Sequence, residues 1–146
     1  MVVVDGAGRR HVWEATRRGC ALVPLESYNF ARRSVCLYRA LRGPPVPPGA
    51  LWRSVRANAG RPYSHDYWRP VYNRFFPHLP LATPVHRHTR FCTDLVAETL
   101  ERVGVLDFGP TCRTPAETIP SDFTEKQEDL PLTAAYAYAP EVMIAC

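Results

Sequence analysis

The stretch Phe91-Cys92-Thr93-Asp94-Leu95-Val96-Ala97-Glu98-Thr99-Leu100-Glu101-Arg102-Val103-Gly104 carries the clearest structural signal in the chain. Leu95, Val96, Leu100 and Val103 share one face at a helical period, which predicts a helix over 91–103. Thr89 stands where an N-cap is expected, and Gly104 marks the stop. Asp94 and Glu98 lie toward the N-terminal half, where acids complement the helix dipole. Cys92 then falls in the first turn, beside N–H groups that lack intrahelical acceptors and at the positive end of the dipole. Both effects favour a thiolate, so a thiol at this position can ionise near neutral pH. Such a thiolate attacks a carbonyl carbon while neighbouring N–H groups hold the oxyanion. The plain alternative is a buried cysteine at a helix start.

N-terminal to this helix, the first 41 residues read as short strands joined by tight turns. Val2–Val4 is one, and Asp5-Gly6-Ala7-Gly8 is a turn signal. His11–Ala15 is the next strand, with His11, Trp13 and Ala15 on one face and Val12 and Glu14 on the other. A turn at Arg17-Arg18-Gly19 leads to a strand at Cys20–Val23, then a helical turn at Pro24–Tyr28. Val35, Leu37 and Leu41 mark a fourth strand. Gly43-Pro44-Pro45-Val46-Pro47-Pro48 reads as a stiff connector, because proline removes ladder donors. Leu51, Trp52, Val55 and Ala59 form a helical stripe closed by Gly60. Residues 61–90 are irregular and rich in aromatics, Pro and His, as expected of a functional or partner-facing loop. Pro115–Ile119 predicts a helical turn, and Ala135–Ile144 a last strand interrupted by Pro140.

A length of 146 residues predicts a single domain, with a core over about 1–106 and a C-terminal extension over 107–146. A 46% hydrophobic and 11% aromatic content excludes disorder of the whole chain. No stretch reaches the roughly 20 apolar residues of a membrane span, and MVVVDGAGRR lacks the pattern of a signal peptide. Residues 1–90 carry 15 Arg and 4 acids, whereas 91–146 carry 2 Arg, 1 Lys and 10 acids. The basic front and acidic back attract each other within one fold, or the front meets a polyanion. A GC-rich coding bias gives the same arginine excess, and no arginine run alternates with aromatics as a stacking platform does. Nucleic acid is therefore not expected as the partner. Five cysteines with no CxxC pair argue against a disulfide framework and a zinc knuckle, and for reduced thiols inside a cell.

Phe91-Cys92-Thr93-Asp94-Leu95-Val96-Ala97, closing with Gly104-Val105-Leu106, resembles the nucleophile helix of the circularly permuted NlpC-type papain-like superfamily. Members include lecithin:retinol acyltransferase, bacterial lipoprotein-type hydrolases and a set of poxvirus proteins. Val12-Trp13-Glu14-Ala15-Thr16, with Gly19 and Val23-Pro24-Leu25, is similar to the strand–turn–strand block of its bacterial and poxvirus-like branches. Gly60-Arg61-Pro62-Tyr63 resembles the segment that precedes the cysteine helix. The likeness spans about residues 10–106 and implies an α+β, papain-like fold, with an antiparallel sheet packed against the nucleophile helix. It also implies that Glu14 orients a catalytic histidine and that Tyr63 lines the substrate cleft. That histidine belongs just before the valine run, where this chain starts at Met1. Either the start lies further upstream or the residue is lost. His11 is the nearest substitute in sequence, although alternation puts it on the face opposite Glu14, and His65 is a second. His86, His88 and Cys92 form an H-x-H-x3-C spacing with no further ligand evident, so neither a metal nor another cofactor is expected.

The resemblance thus implies a thiol peptidase, amidase or acyltransferase that acts on a peptide or lipid acyl group through a Cys92 thioester. Two alternatives stand beside it. One is a catalytically inactive descendant serving as a binding or virion-associated protein, with the 61–90 loop as its contact surface. The other is an arginine-rich polyanion binder. An intracellular setting, in host cytoplasm or virion, follows from the first two.

Overall fold

In the computed structural model, three strands at the N-terminus pair antiparallel in the order β1 (Val2–Val4), β2 (Arg10–Thr16), β3 (Gly19–Pro24). Described are residues 1–27, 35–64, 68, 72, 75–76, 91–109, 111, 114–125 and 130–145. The register runs without interruption from Val2↔Val12 to Val4↔Arg10, and from His11↔Pro24 to Thr16↔Gly19. No bulge therefore shifts one strand face onto the other. The β1–β2 turn is built by Asp5. Its carboxylate accepts from the backbone N–H groups of Ala7 and Arg9, each at 2.9 Å, and from Arg9 Nε at 2.8 Å. These bonds hold the Asp5 carboxyl well below the usual carboxylate range.

Alternation along β2 buries Trp13 and Ala15 against two helices, α1 (Pro48–Asn58) and α2 (Cys92–Arg102). The expected proline connector gives way to α1 earlier than its apolar stripe suggests. Pro48 occupies the first helical position, where its fixed φ suits the turn and its missing N–H costs nothing. Gly60 follows the helix with φ +77, the left-handed conformation of a C-terminal stop. Phe91 rather than Thr89 caps α2, with extended backbone and no side-chain capping bond; Thr89 lies outside the described residues.

The space between β2, α1 and α2 is filled by Val3, Trp13, Ala15, Cys20, Val55 and Leu95. A polar lock sits inside this apolar cluster. Thr99 Oγ1 donates to the Leu95 carbonyl at 2.7 Å, and accepts from Trp13 Nε1 at 3.2 Å and from Ser54 Oγ at 3.3 Å. Trp13 and Thr99 are fully buried, so these groups have no water to turn to.

A second cluster joins the far half of α2 to the C-terminal segment through Leu100, Val103, Val105, Leu106, Phe108 and Leu130. That segment also supplies β6 (Ala137–Tyr138), paired with β5 (Leu41–Arg42), and β7 (Val142–Ala145), paired with β4 (Val35–Tyr38). The expected last strand is therefore two short strands on either side of Pro140. The described strands form three small antiparallel sheets rather than one. The molecule is α+β, with antiparallel pairing throughout the described strands. No helix among the described residues is long and apolar enough to cross a membrane.

Replacing Thr99 with Val keeps the shape but leaves the Trp13 and Ser54 donors unsatisfied in the core. Thr99→Val should lower the unfolding free energy by about 2–3 kcal/mol, read as a lower urea midpoint with an unchanged denaturant slope. An unaltered midpoint would mean that the lock contributes nothing.

Candidate functional site

Gly19 is the first link in placing the site. It has φ +96, and a Cβ at that position would lie 2.8 Å from the Arg61 carbonyl oxygen. The bare backbone lets the chain after α1 dock on the β2–β3 turn. Cys20 N–H donates to the Arg61 carbonyl at 2.9 Å, and Gly60 N–H donates to the Cys20 carbonyl at 2.8 Å. Two residues later Tyr63 reaches the start of α2. Its ring lies 5.6 Å from that of Phe91, and its hydroxyl hydrogen-bonds the Cys92 thiol.

Cys92 is the first residue of α2, half-buried and free. Opposing influences act on its thiol. Burial pushes the pKa up, and it is the largest influence. The Tyr63 hydroxyl and the backbone N–H groups of Thr93 and Cys92 pull it down. The carboxylate of Asp94, itself buried at 4% exposure, pushes it up again. The net direction is upward, which goes against the thiolate reading and with the plain alternative of a buried helix-start cysteine. The helix terminus acts on the sulfur as expected, but desolvation outweighs it.

The nitrogen of Met1 completes the group. It donates to the Trp13 carbonyl at 3.0 Å, while Trp13 N–H donates to the Met1 carbonyl at 2.7 Å, extending the β1–β2 ladder by one residue. Burial lowers the pKa of this amine, and the charges of Glu14 and Cys92 raise it. Glu14, on β2, and Cys92, on α2, thus both act on the Met1 end of β1.

The structure brings together Cys92 and Tyr63, with Glu14 linked to them through the Met1 end of β1. It does not bring in His11. That imidazole is 14% exposed, and its Nε2 lies 3.2 Å from Asp5 Oδ2, at the turn end of the same hairpin. With β2 unbroken, His11 and Glu14 stay on opposite faces. His65, His78, His86 and His88 lie outside the described residues, and so does the H-x-H-x3-C spacing. Sequence reasoning missed the Asp5–His11 pair, although it was legible. His11 lies opposite Val3 in the ladder, and Asp5, two residues on, points to the same side. It also missed the burial of Asp94, since the helical pattern alone shows that residue only as a dipole partner.

No protein-family model, curated protein or solved structure matches this chain.

Alkylation of Cys92 by iodoacetamide follows the thiolate fraction. Because burial favours the neutral thiol, labelling should be slow at pH 7 and climb only above the free-thiol value of about pH 8.5. Tyr63→Phe removes a bond that favours the thiolate, so it should slow labelling several-fold at a given pH and move the climb upward. Cys92→Ala identifies the label, and Cys20, 3% exposed, serves as the unreactive control. A climb centred below pH 7 would contradict the dominance of burial.

Proposed function

We propose that this chain has a papain-like fold of the permuted NlpC type and works as a thiol-dependent hydrolase or acyltransferase on amide or ester bonds. The observation that carries this reading is the placement of Cys92 as the first residue of α2, with hydrogen bonds to its thiol from the Tyr63 hydroxyl and the N–H groups at the helix start. A nucleophile there has oxyanion donors close by without further rearrangement.

The chemistry needs a proton acceptor, because burial keeps the thiol protonated. Glu14 and Cys92 both act electrostatically on the Met1 end of β1, which is where the resemblance expects its histidine. A histidine at that position, which holds Met1 in this chain, would take the thiol proton with Glu14 orienting the ring, as sulfur bonds to the carbonyl carbon. The oxyanion accepts from the N–H groups at the start of α2 and from Tyr63. The C–N or C–O bond then breaks, the leaving amine or alcohol takes the proton from the base, and a Cys92 thioester remains. Water or an acceptor amine releases the acyl group.

A second reading is favoured by the raised thiol pKa and by the engagement of His11 with Asp5. Loss of a general base costs about 10²–10⁴-fold in rate. The same fold is then an inactive one, serving as a binding or virion-associated protein.

Incubation with p-nitrophenyl acetate at pH 8, followed by peptide mass spectrometry, separates the two. The first reading predicts an acetyl group on Cys92 that decays with time, is absent from Cys92→Ala, and forms more slowly in Glu14→Gln. No acetylation at Cys92 under conditions where iodoacetamide labels it would overturn the enzyme and leave the binding protein.

A further inference from the structure

Three of the exposed large apolar side chains lie close together in the sequence, and all three are aromatic: Trp68 is 78% exposed, Phe75 63% and Phe76 53%. Trp68, Tyr72 and Phe75 have helical backbone, and the Phe76 N–H donates to the Tyr72 carbonyl at 2.9 Å, one further step of the same ladder. The spacing i, i+4, i+7, i+8 puts the four rings on one face. The Tyr72 and Phe76 rings lie 5.3 Å apart, in contact along that face. We propose that this aromatic face docks on the surface of an anionic lipid bilayer and lies in the headgroup interface without crossing it. The inference is independent of the chemistry at Cys92, because none of the four residues takes part in it.

Three observations favour a bilayer over a folded partner. The first is protrusion. Rings exposed by more than half stand out from the surface, and a folded partner would need a matching pocket for each. A fluid interface takes up protruding rings without any preformed shape. The second is the kind of side chain. Trp and Tyr combine a large apolar body with a polar tip, and they concentrate where hydrocarbon meets water. Phe75 and Phe76 add purely apolar area beside them.

The third observation is charge. Arg69 and Arg74 fall within this stretch of the sequence, and residues 61–90 carry five Arg against one acid, Asp66. A basic segment that also bears an aromatic face is the combination that binds anionic lipid, with the cations drawn to the headgroups and the rings set below them. From Trp68 to Phe76 the chain is far shorter than the roughly 20 residues of a membrane span. No helix among the described residues is long and apolar enough to cross a membrane, so the contact is peripheral.

The test is sedimentation of the full chain with vesicles at low ionic strength. Vesicles of phosphatidylcholine mixed with phosphatidylserine are set beside vesicles of phosphatidylcholine alone. The chain should sediment with the anionic vesicles, more weakly with the neutral ones, and several-fold less when salt screens the headgroups. Brominated phosphatidylcholine in the anionic vesicles should quench tryptophan fluorescence through Trp68, since Trp13 is fully buried and Trp52 half-buried. Phe75→Asp, which puts a carboxylate on the aromatic face, should weaken vesicle binding by at least about tenfold. Trp68→Phe keeps a ring at that position, so it should still bind but lose most of the quenching. Both positions are exposed, and thermal melts establish that the variants are folded. The proposal is overturned by absent sedimentation with anionic vesicles, which would leave the face to a folded partner. It is equally overturned by unchanged binding of Phe75→Asp, by undiminished quenching in Trp68→Phe, or by neutral vesicles binding as tightly as anionic ones.

Discussion

The hydrogen bond from the Trp13 indole to Thr99 Oγ1, made where neither residue touches solvent, is the contact on which the described architecture depends. It ties β2 to α2 across 86 residues of sequence. Ser54 brings α1 to the same oxygen. Apolar packing around Val3, Ala15, Val55 and Leu95 supplies most of the attraction but little direction. The shared Thr99 oxygen supplies the direction, because each displaced donor would lose its partner in a low-dielectric interior. One rotation of α2 satisfies all three groups. That rotation brings the start of the helix to the Met1 end of β1.

The electrostatics of Cys92 follow from this seating. A helix start in water lowers a thiol pKa, whereas a helix start sunk against a sheet also strips the sulfur of solvent. Here the second effect wins, aided by the buried Asp94. The Tyr63 hydroxyl and two N–H groups recover part of the loss. The result is a protonated nucleophile that needs a base in contact to become reactive. Glu14 and Cys92 both bear on one place, the Met1 end of β1, whereas His11 is engaged with Asp5 at the turn end of the hairpin.

Local pattern made much of this legible. The three N-terminal strands, the helix at Cys92, the turns at Gly60 and Gly104 and the break at Pro140 all follow from alternation, helical period or backbone chemistry within a few residues. The pairing of β4 with β7 and of β5 with β6 was not legible, because strand partners about a hundred residues apart leave no mark on a local window. The start of α1 was misjudged for a chemical reason: Pro48 breaks a helix interior but suits a first turn. Of the candidate site, the helix-start position of Cys92 could be read and its ionisation could not. Dipole and N–H groups are local properties, but desolvation depends on which residues of β2 and the 60–63 segment arrive beside the sulfur. Ser54, Asn58 and Thr99 were hidden for a similar reason, since polar residues on the inner faces of helices look like solvent-facing ones until their partners are known.

The most direct measurement is the exchange rate of the Trp13 indole Nε1–H with solvent deuterium, followed by NMR alongside the other two indoles. If the bond to Thr99 anchors the sheet to α2, this proton exchanges only through global unfolding, with an opening free energy equal to that from urea denaturation. Trp68, 78% exposed, should exchange at once. Exchange of the Trp13 proton by a local opening, well below the global free energy, would contradict the account.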